Sequence, residues 1–298
     1  MLNEILNVLA YIKHDDRVRC VVLTGHGNIF CAGADLDSGF GHREENAREH
    51  RDGCVSCLPT TSISCSRYAK QVARLDLSTI LHHEISTDMS SGGRLSLALH
   101  SLHKPIITAL NGSAVGVGIT MTLPTNIRIA YSKAKIGFVF ARRGIVMEGC
   151  SSFYLPRLLG YSRAMHLITT GSTFEANHEM VRGLFSEIVE KREDVLPRAL
   201  QVAEEVVANT SAVSTSLMRE MMFRGPSSPE EAHLLESKVL WELFAGKDKE
   251  EGVNAFLQKR EARFRGSMLA DAPSVWPWWD RVDTAYPTKV MKAEDSKL

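Results

Sequence analysis

A chain of 298 residues with 44% hydrophobic side chains is long enough for one large domain or two small ones and apolar enough to bury a core, which excludes disorder over most of its length. Its 35 basic and 35 acidic residues cancel, so no summed field is available to hold a nucleic acid by charge alone. No run approaches the roughly 18 apolar residues of a membrane helix, the start MLNEILNVLAYIKHDD lacks the basic head and apolar block of a secretory signal, and six cysteines are too sparse for a disulfide scaffold.

In chain order, Val18 to Leu23 and Pro105 to Leu110 are short apolar runs rich in branched residues, each followed by a glycine turn, and read as buried parallel strands; Ile127 to Ala130 is a third. The stretch from Asp37 to about Leu77 is polar, rich in Arg, Ser and Cys and without period, which predicts a long loop, a candidate lid. From Ser151 the pattern turns helical. Ser228, Pro229 and Glu231 mark a helix start as cap, first-turn proline and capping-box acid. The expected organisation is an α/β core over 1–192, a helical region over 193–286 with a Trp-rich end (Trp276, Trp278, Trp279), and a charged tail over 287–298. The tail ends in Ser296-Lys297-Leu298, the tripeptide read by the peroxisomal import receptor, so peroxisomal localisation is expected.

Three segments carry chemistry. Cys31-Ala32-Gly33-Ala34-Asp35-Leu36 follows the first strand, and its small residues let the backbone approach a ligand; a plain strand-to-helix turn would look the same. Asn111-Gly112-Ser113-Ala114-Val115-Gly116-Val117-Gly118 follows the second strand and opens a short helix whose first N–H groups suit an anionic oxygen. Met121 stands where a dinucleotide fingerprint needs its third glycine, and Pro124 stops the helix early. In the third segment, Arg142-Arg143-Gly144-Ile145-Val146-Met147-Glu148-Gly149-Cys150-Ser151-Ser152, the carboxylate of Glu148 sits among apolar and small residues. It is either an acid placed near a helix N-terminus or a working group. Cys54, Cys57, Cys65, His82 and His83 lack a regular second ligand pair, so no metal is expected. Cys150 has no histidine in sequence relation to it and reads as a packed thiol, and Arg142 and Arg143 as a solvated or phosphate-facing pair.

Together the three segments resemble the crotonase, or enoyl-CoA hydratase/isomerase, superfamily from Val18 through Val189 and into the helical back. The resemblance implies an α/β crotonase fold of stacked ββα turns, a helical C-terminal trimerisation region in a homotrimer or hexamer, and an acyl-CoA substrate with no separate cofactor. It implies an oxyanion hole from the N–H groups of Ala34 and Val117, with Ala32, Asp35, Leu36 and Gly116 against the acyl-CoA. Asp248 to Phe264 resembles the family's closing helix, where Phe256 and Lys259 approach the CoA of a neighbouring subunit.

Hydratases of the family resemble one another in two glutamates, at positions occupied here by Thr120 and Phe140. Glu148 instead falls where the peroxisomal Δ3,Δ2-enoyl-CoA isomerases carry a single catalytic glutamate. The surrounding R-R-G-I-V-x-E is also similar to fungal isomerase/hydratases of siderophore and toxin pathways. The expected function is therefore isomerisation of a 3-enoyl-CoA by one proton-shuttling acid, with hydration as the alternative. The family's usual first strand pair is not found ahead of the first helix, which leaves a non-catalytic CoA-binding or assembly protein as the rival from another class. An RNA-binding relative is disfavoured by the neutral charge.

Overall fold

A computed structural model describes residues 2–33, 71–76, 91–282 and 284. The three long apolar runs form the centre of a five-stranded parallel sheet, β1 (Cys20–Thr24), β4 (Ile106–Leu110) and β6 (Ile127–Tyr131). They are flanked by β3 (Val72–Asp76) and β9 (Glu187–Val189) in the order β3-β1-β4-β6-β9. Every residue of β1 and β4 is buried, because both faces of the sheet are covered. Cys20, Val22, Ile107, Ala109 and Ile129 face Val195, Ala199, Ala203 and Val207, which recur every fourth residue along α6 (Arg192–Asn209). The alternate residues Val21, Leu23, Ile106 and Leu110 face the main core. Ile5, Leu9 and Ile12 of α1 (Leu2–His14) and Leu95 and Leu99 of α2 (Ser91–Ser101) fill that core.

After β1, β4 and β6 the chain leaves the first sheet and enters a second, four-stranded one. This sheet is built from β2 (Ile29–Cys31), β5 (Ser113–Val115), β7 (Lys135–Gly137) and β8 (Thr173–Glu175), of which only the β7–β8 pair is antiparallel. The glycine-dense segments therefore contain short strands as well as turns. β3 lies inside the stretch read as loop, and β8 and β9 interrupt the part read as helical; none of the three is long or apolar enough to show a period in the sequence. Residues 37–70 of that loop, with Cys54, Cys57 and Cys65, lie outside the described residues, as do His82, His83 and the tail from 285. No helix among the described residues is long and apolar enough to cross a membrane.

Behind the sheets, α7 (Ala212–Arg224), α8 (Pro229–Phe244), α9 (Lys247–Leu257) and α10 (Met268–Asp271) enclose a smaller core of Val213, Leu217 and Val239. The Ser228 hydroxyl accepts the Glu231 N–H at 3.2 Å, so the helix start read in the sequence is the start of α8. The Trp-rich end closes this core. The three indoles stand edge to face 4.9–5.4 Å apart, and Trp278 Nε1 donates to the Arg224 carbonyl at 3.0 Å.

α7 is tied to the core by a buried ionic group. The Arg219 guanidinium, 5% exposed, donates to the carbonyls of Leu99 and His100 at the end of α2 and pairs with Glu220, 2% exposed, whose other oxygen accepts from Arg224 at 2.9 Å. Tyr154 Oη meets His100 Nδ1 at 2.5 Å. Burial, with positive charge from Arg224 and Arg219 at His100 and from Lys104 and Lys13 at His103, lowers both imidazoles from 6.5 to about 4. The unfolded chain protonates these histidines as pH falls past 6.5, and the folded chain does so only near 4. Their contribution is full above 6.5 and lost across that window. Thermal melts should show a falling midpoint from pH 7 to 4, with a shallower slope in His103→Gln; an equal slope in that variant contradicts the assignment.

Candidate active site

Glu148 lies in the loop before α4 (Ser151–Leu159), and its main-chain oxygen is held by the Ser151 hydroxyl at 2.6 Å. Gly149 and Cys150 are both left-handed, with φ 64° and 58°. Cys150 is the N-cap of α4 and makes no side-chain cap bond. The Glu148 carboxylate does not serve that helix end. Its Oε1 accepts the Thr120 hydroxyl at 2.6 Å, across the site on α3 (Val117–Thr120). The reading of Glu148 as a helix-terminal acid is therefore replaced by a carboxylate inside a socket.

Three elements build that socket. α3 gives Thr120, which is fully buried, and Val117. The 144–150 loop gives Gly149: a Cβ there would stand 2.7 Å from Thr120 Oγ1, so the glycine is needed for space as well as for its left-handed backbone. α2 gives Gly92, where a Cβ would collide with Glu148 Oε2 and lie 2.7 Å from Val117 Cγ2. Glu148 Oε2 and the Val117 side chain thus both pack against Gly92 of α2. Oε2 is buried and has no hydrogen-bond partner among the described residues; Ser96 Oγ of α2, also buried and unpartnered, lies 3.2 Å from the Cβ position of Gly149. Burial raises the Glu148 pKa above its ordinary 4.5, opposed by the Thr120 hydrogen bond. An acid held this way is a better proton acceptor than an exposed one once ionised.

The second glycine segment lies against the first. Gly116, buried with φ 58°, precedes Val117, whose N–H heads α3 and so has no acceptor within the helix. A Cβ at Gly118 would stand 2.8 Å from Cys31 Sγ, and one at Gly33 3.0 Å from the Val115 carbonyl oxygen, so the two arms pack backbone to backbone. Ala32 is exposed at the exit of β2; Ala34, Asp35 and Leu36 lie outside the described residues.

Burial and the Glu148 charge raise the Cys31 and Cys150 thiols, which fits packed thiols better than nucleophiles. Arg142 is tied to the end of α5 (Tyr161–Thr170) through the Thr170 carbonyl at 2.8 Å, and Arg143 donates to the Val139 carbonyl at 3.2 Å. Phe140 is buried in the main core. Phe256, 82% exposed, and Lys259 stand on and just after α9, outside the socket. Gly92, Ser96 and the partnership of Thr120 with Glu148 are not visible in the sequence pattern. The one local signal is the pair Gly92-Gly93 in the first turn of a helix, where two poor helix formers mark a close approach.

Stacked two-sheet turns with a half-buried acid beside a glycine-lined helix start define the crotonase class. The chain belongs to the enoyl-CoA hydratase/isomerase family, whose profile matches residues 1–57 and 74–267. It is 44% identical over 268 residues to enoyl-CoA hydratase AFT3-1 of Alternaria alternata, covering 90% of this chain and 78% of that one. Among solved structures, a probable enoyl-CoA hydratase/isomerase from Mycobacterium abscessus superposes with TM-score 0.69 at 25% identity, covering 89% of this chain and 88% of the other. An enoyl-CoA hydratase from Bacillus anthracis gives 0.68 at 26% identity, covering 89% and 88%.

Proposed function

We propose that this member of the family isomerises 3-enoyl-CoA to 2-enoyl-CoA, with Glu148 as its single proton shuttle. The observation that carries the reading is the socket: one carboxylate, anchored on one oxygen and bare on the other, beside Val117, while the two positions of the hydratase acids hold Thr120 and Phe140. Neither threonine nor phenylalanine can act as a general base at neutral pH.

The ionised Oε2 takes a proton from C2, so the C2–H bond breaks, an O–H bond forms, and the electron pair spreads through C3=C4 and onto the thioester oxygen as a dienolate. The N–H of Val117 and, by the family's pattern, that of Ala34 stabilise that oxygen. Such a preorganised donor contributes about 3–4 kcal/mol in a dry site. Returning the proton from Oε2 to C4 restores the carbonyl, places the double bond between C2 and C3, and leaves Glu148 ionised. One acid suffices because it is a base in the first step and an acid in the second. Phe256 and Lys259 stand at the exposed end of α9, which suits contact with the CoA of an adjacent subunit.

The name of the Alternaria alternata relative favours hydration, which needs a water held and split beside the same carboxylate. Assaying the purified protein on a 3-enoyl-CoA and on the matching 2-enoyl-CoA separates the two. Isomerisation is expected to be much the faster reaction. Dominant hydration overturns the proposal in favour of a hydratase, and acyl-CoA binding without either turnover overturns it in favour of the non-catalytic rival.

A further inference from the structure

The two oxygens of Glu148 are not equivalent, and Thr120 is what makes them differ. Thr120 is fully buried on α3, and its hydroxyl donates to Oε1 at 2.6 Å. That hydroxyl is also 3.4 Å from the Val117 carbonyl, the weaker of its two acceptors by length. Gly149 leaves the space in which the Thr120 side chain sits, and Gly92 leaves the space for Oε2. The hydrogen bond to Oε1 fixes the plane of the carboxylate, so the unpartnered oxygen keeps its place against Gly92 and beside the Val117 side chain.

We propose that Thr120 is a positioning residue: its hydroxyl fixes Oε1 of Glu148 so that Oε2 alone meets the substrate. This rests on the reading of Glu148 as the proton shuttle and assigns a role to a residue that touches no reacting atom. Among the described residues, the titratable groups facing Glu148 are the Cys31 and Cys150 thiols, both raised by burial and by the carboxylate itself, so near neutral pH neither supplies a charge that could replace the hydroxyl. The Thr120 hydrogen bond favours the ionised acid, against the effect of burial.

The test compares Thr120→Val, which removes the donor and keeps the shape, with Thr120→Ser, which keeps the donor. A hydrogen bond to a charged group is worth roughly one to two powers of ten. Thr120→Val should therefore lower kcat for 3-enoyl-CoA by roughly 10–100-fold with KM little changed. The acid limb of its kcat/KM profile should move to higher pH by about one unit, because the ionised base loses its donor. Thr120→Ser should restore both kcat and the limb. If Thr120→Val does not fold, Thr120→Ala removes the same hydroxyl with less bulk and is read the same way. A wild-type pH profile in the folded donor-less variant, with Glu148→Gln inactive, overturns the positioning role alone. Full activity in Glu148→Gln overturns the reading beneath it.

Discussion

Glu148→Gln should lower kcat for 3-enoyl-CoA isomerisation by roughly 10²–10⁴-fold, the usual range for loss of a general acid–base group, while the protein stays folded. The amide has the shape of the acid and can still accept the Thr120 hydroxyl, so the socket is kept and only the proton carrier is lost. The same variant carries a second, oppositely signed expectation. Because burial raises the Glu148 pKa above 4.5, the unfolded chain releases this proton at lower pH than the folded chain does. Wild-type stability from this group is therefore full below the ordinary value and is lost as pH rises through the folded one. Glutamine does not titrate, so the difference in melting temperature should move in favour of Glu148→Gln between pH 4 and pH 8. A variant that turns over substrate at near wild-type rate ends the single-acid mechanism. A stability difference that does not vary with pH ends the claim that burial strains the acid.

Glu220→Ala should destabilise the fold by about 3–5 kcal/mol, the typical cost of stripping one partner from a buried ion pair. Arg219 would then lie 5% exposed without its carboxylate, and Arg224 would lose its 2.9 Å contact. The cost comes from the stranded charge rather than from lost attraction, so replacing both Arg219 and Glu220 by apolar residues of similar volume should cost less than the single change. Urea midpoints for the single and double variants check this; a loss below about 1 kcal/mol in Glu220→Ala contradicts it. Arg219 also closes the end of α2, the helix that brings Gly92 and Ser96 to Glu148. A damaged back is therefore expected to reach the site through α2.

What the sequence shows of the fold follows from the length of each signal. β1 and β4 are five-residue runs buried throughout and β6 is buried over its central three residues, so all three stand out from their surroundings. β2, β5, β7 and β8 are three residues each, too short for any period: β2 and β5 lie at or within the glycine segments, and β8 lies in a part that reads as helical. The stacked turns likewise repeat in space without repeating in sequence. For the site, Glu148 stands out by its apolar neighbours and takes a role by resemblance. Thr120 is conspicuous in the sequence for what it lacks, a carboxylate. Its actual contact spans 28 residues and depends on glycines at 92 and 149 leaving room, which no local pattern encodes.

Asn111 bears on time rather than place. Its Oδ1 accepts the Gly25 N–H at 3.1 Å and its Nδ2 donates to the Gly27 carbonyl at 3.0 Å, so one amide clasps the turn after β1 while its own backbone continues into the Gly116–Val117 arm. The spacing between the strands leading to the two arms is thereby set during folding, like the jaws of a caliper locked before measurement. Substrate binding energy is then not needed to hold these two strands at their spacing.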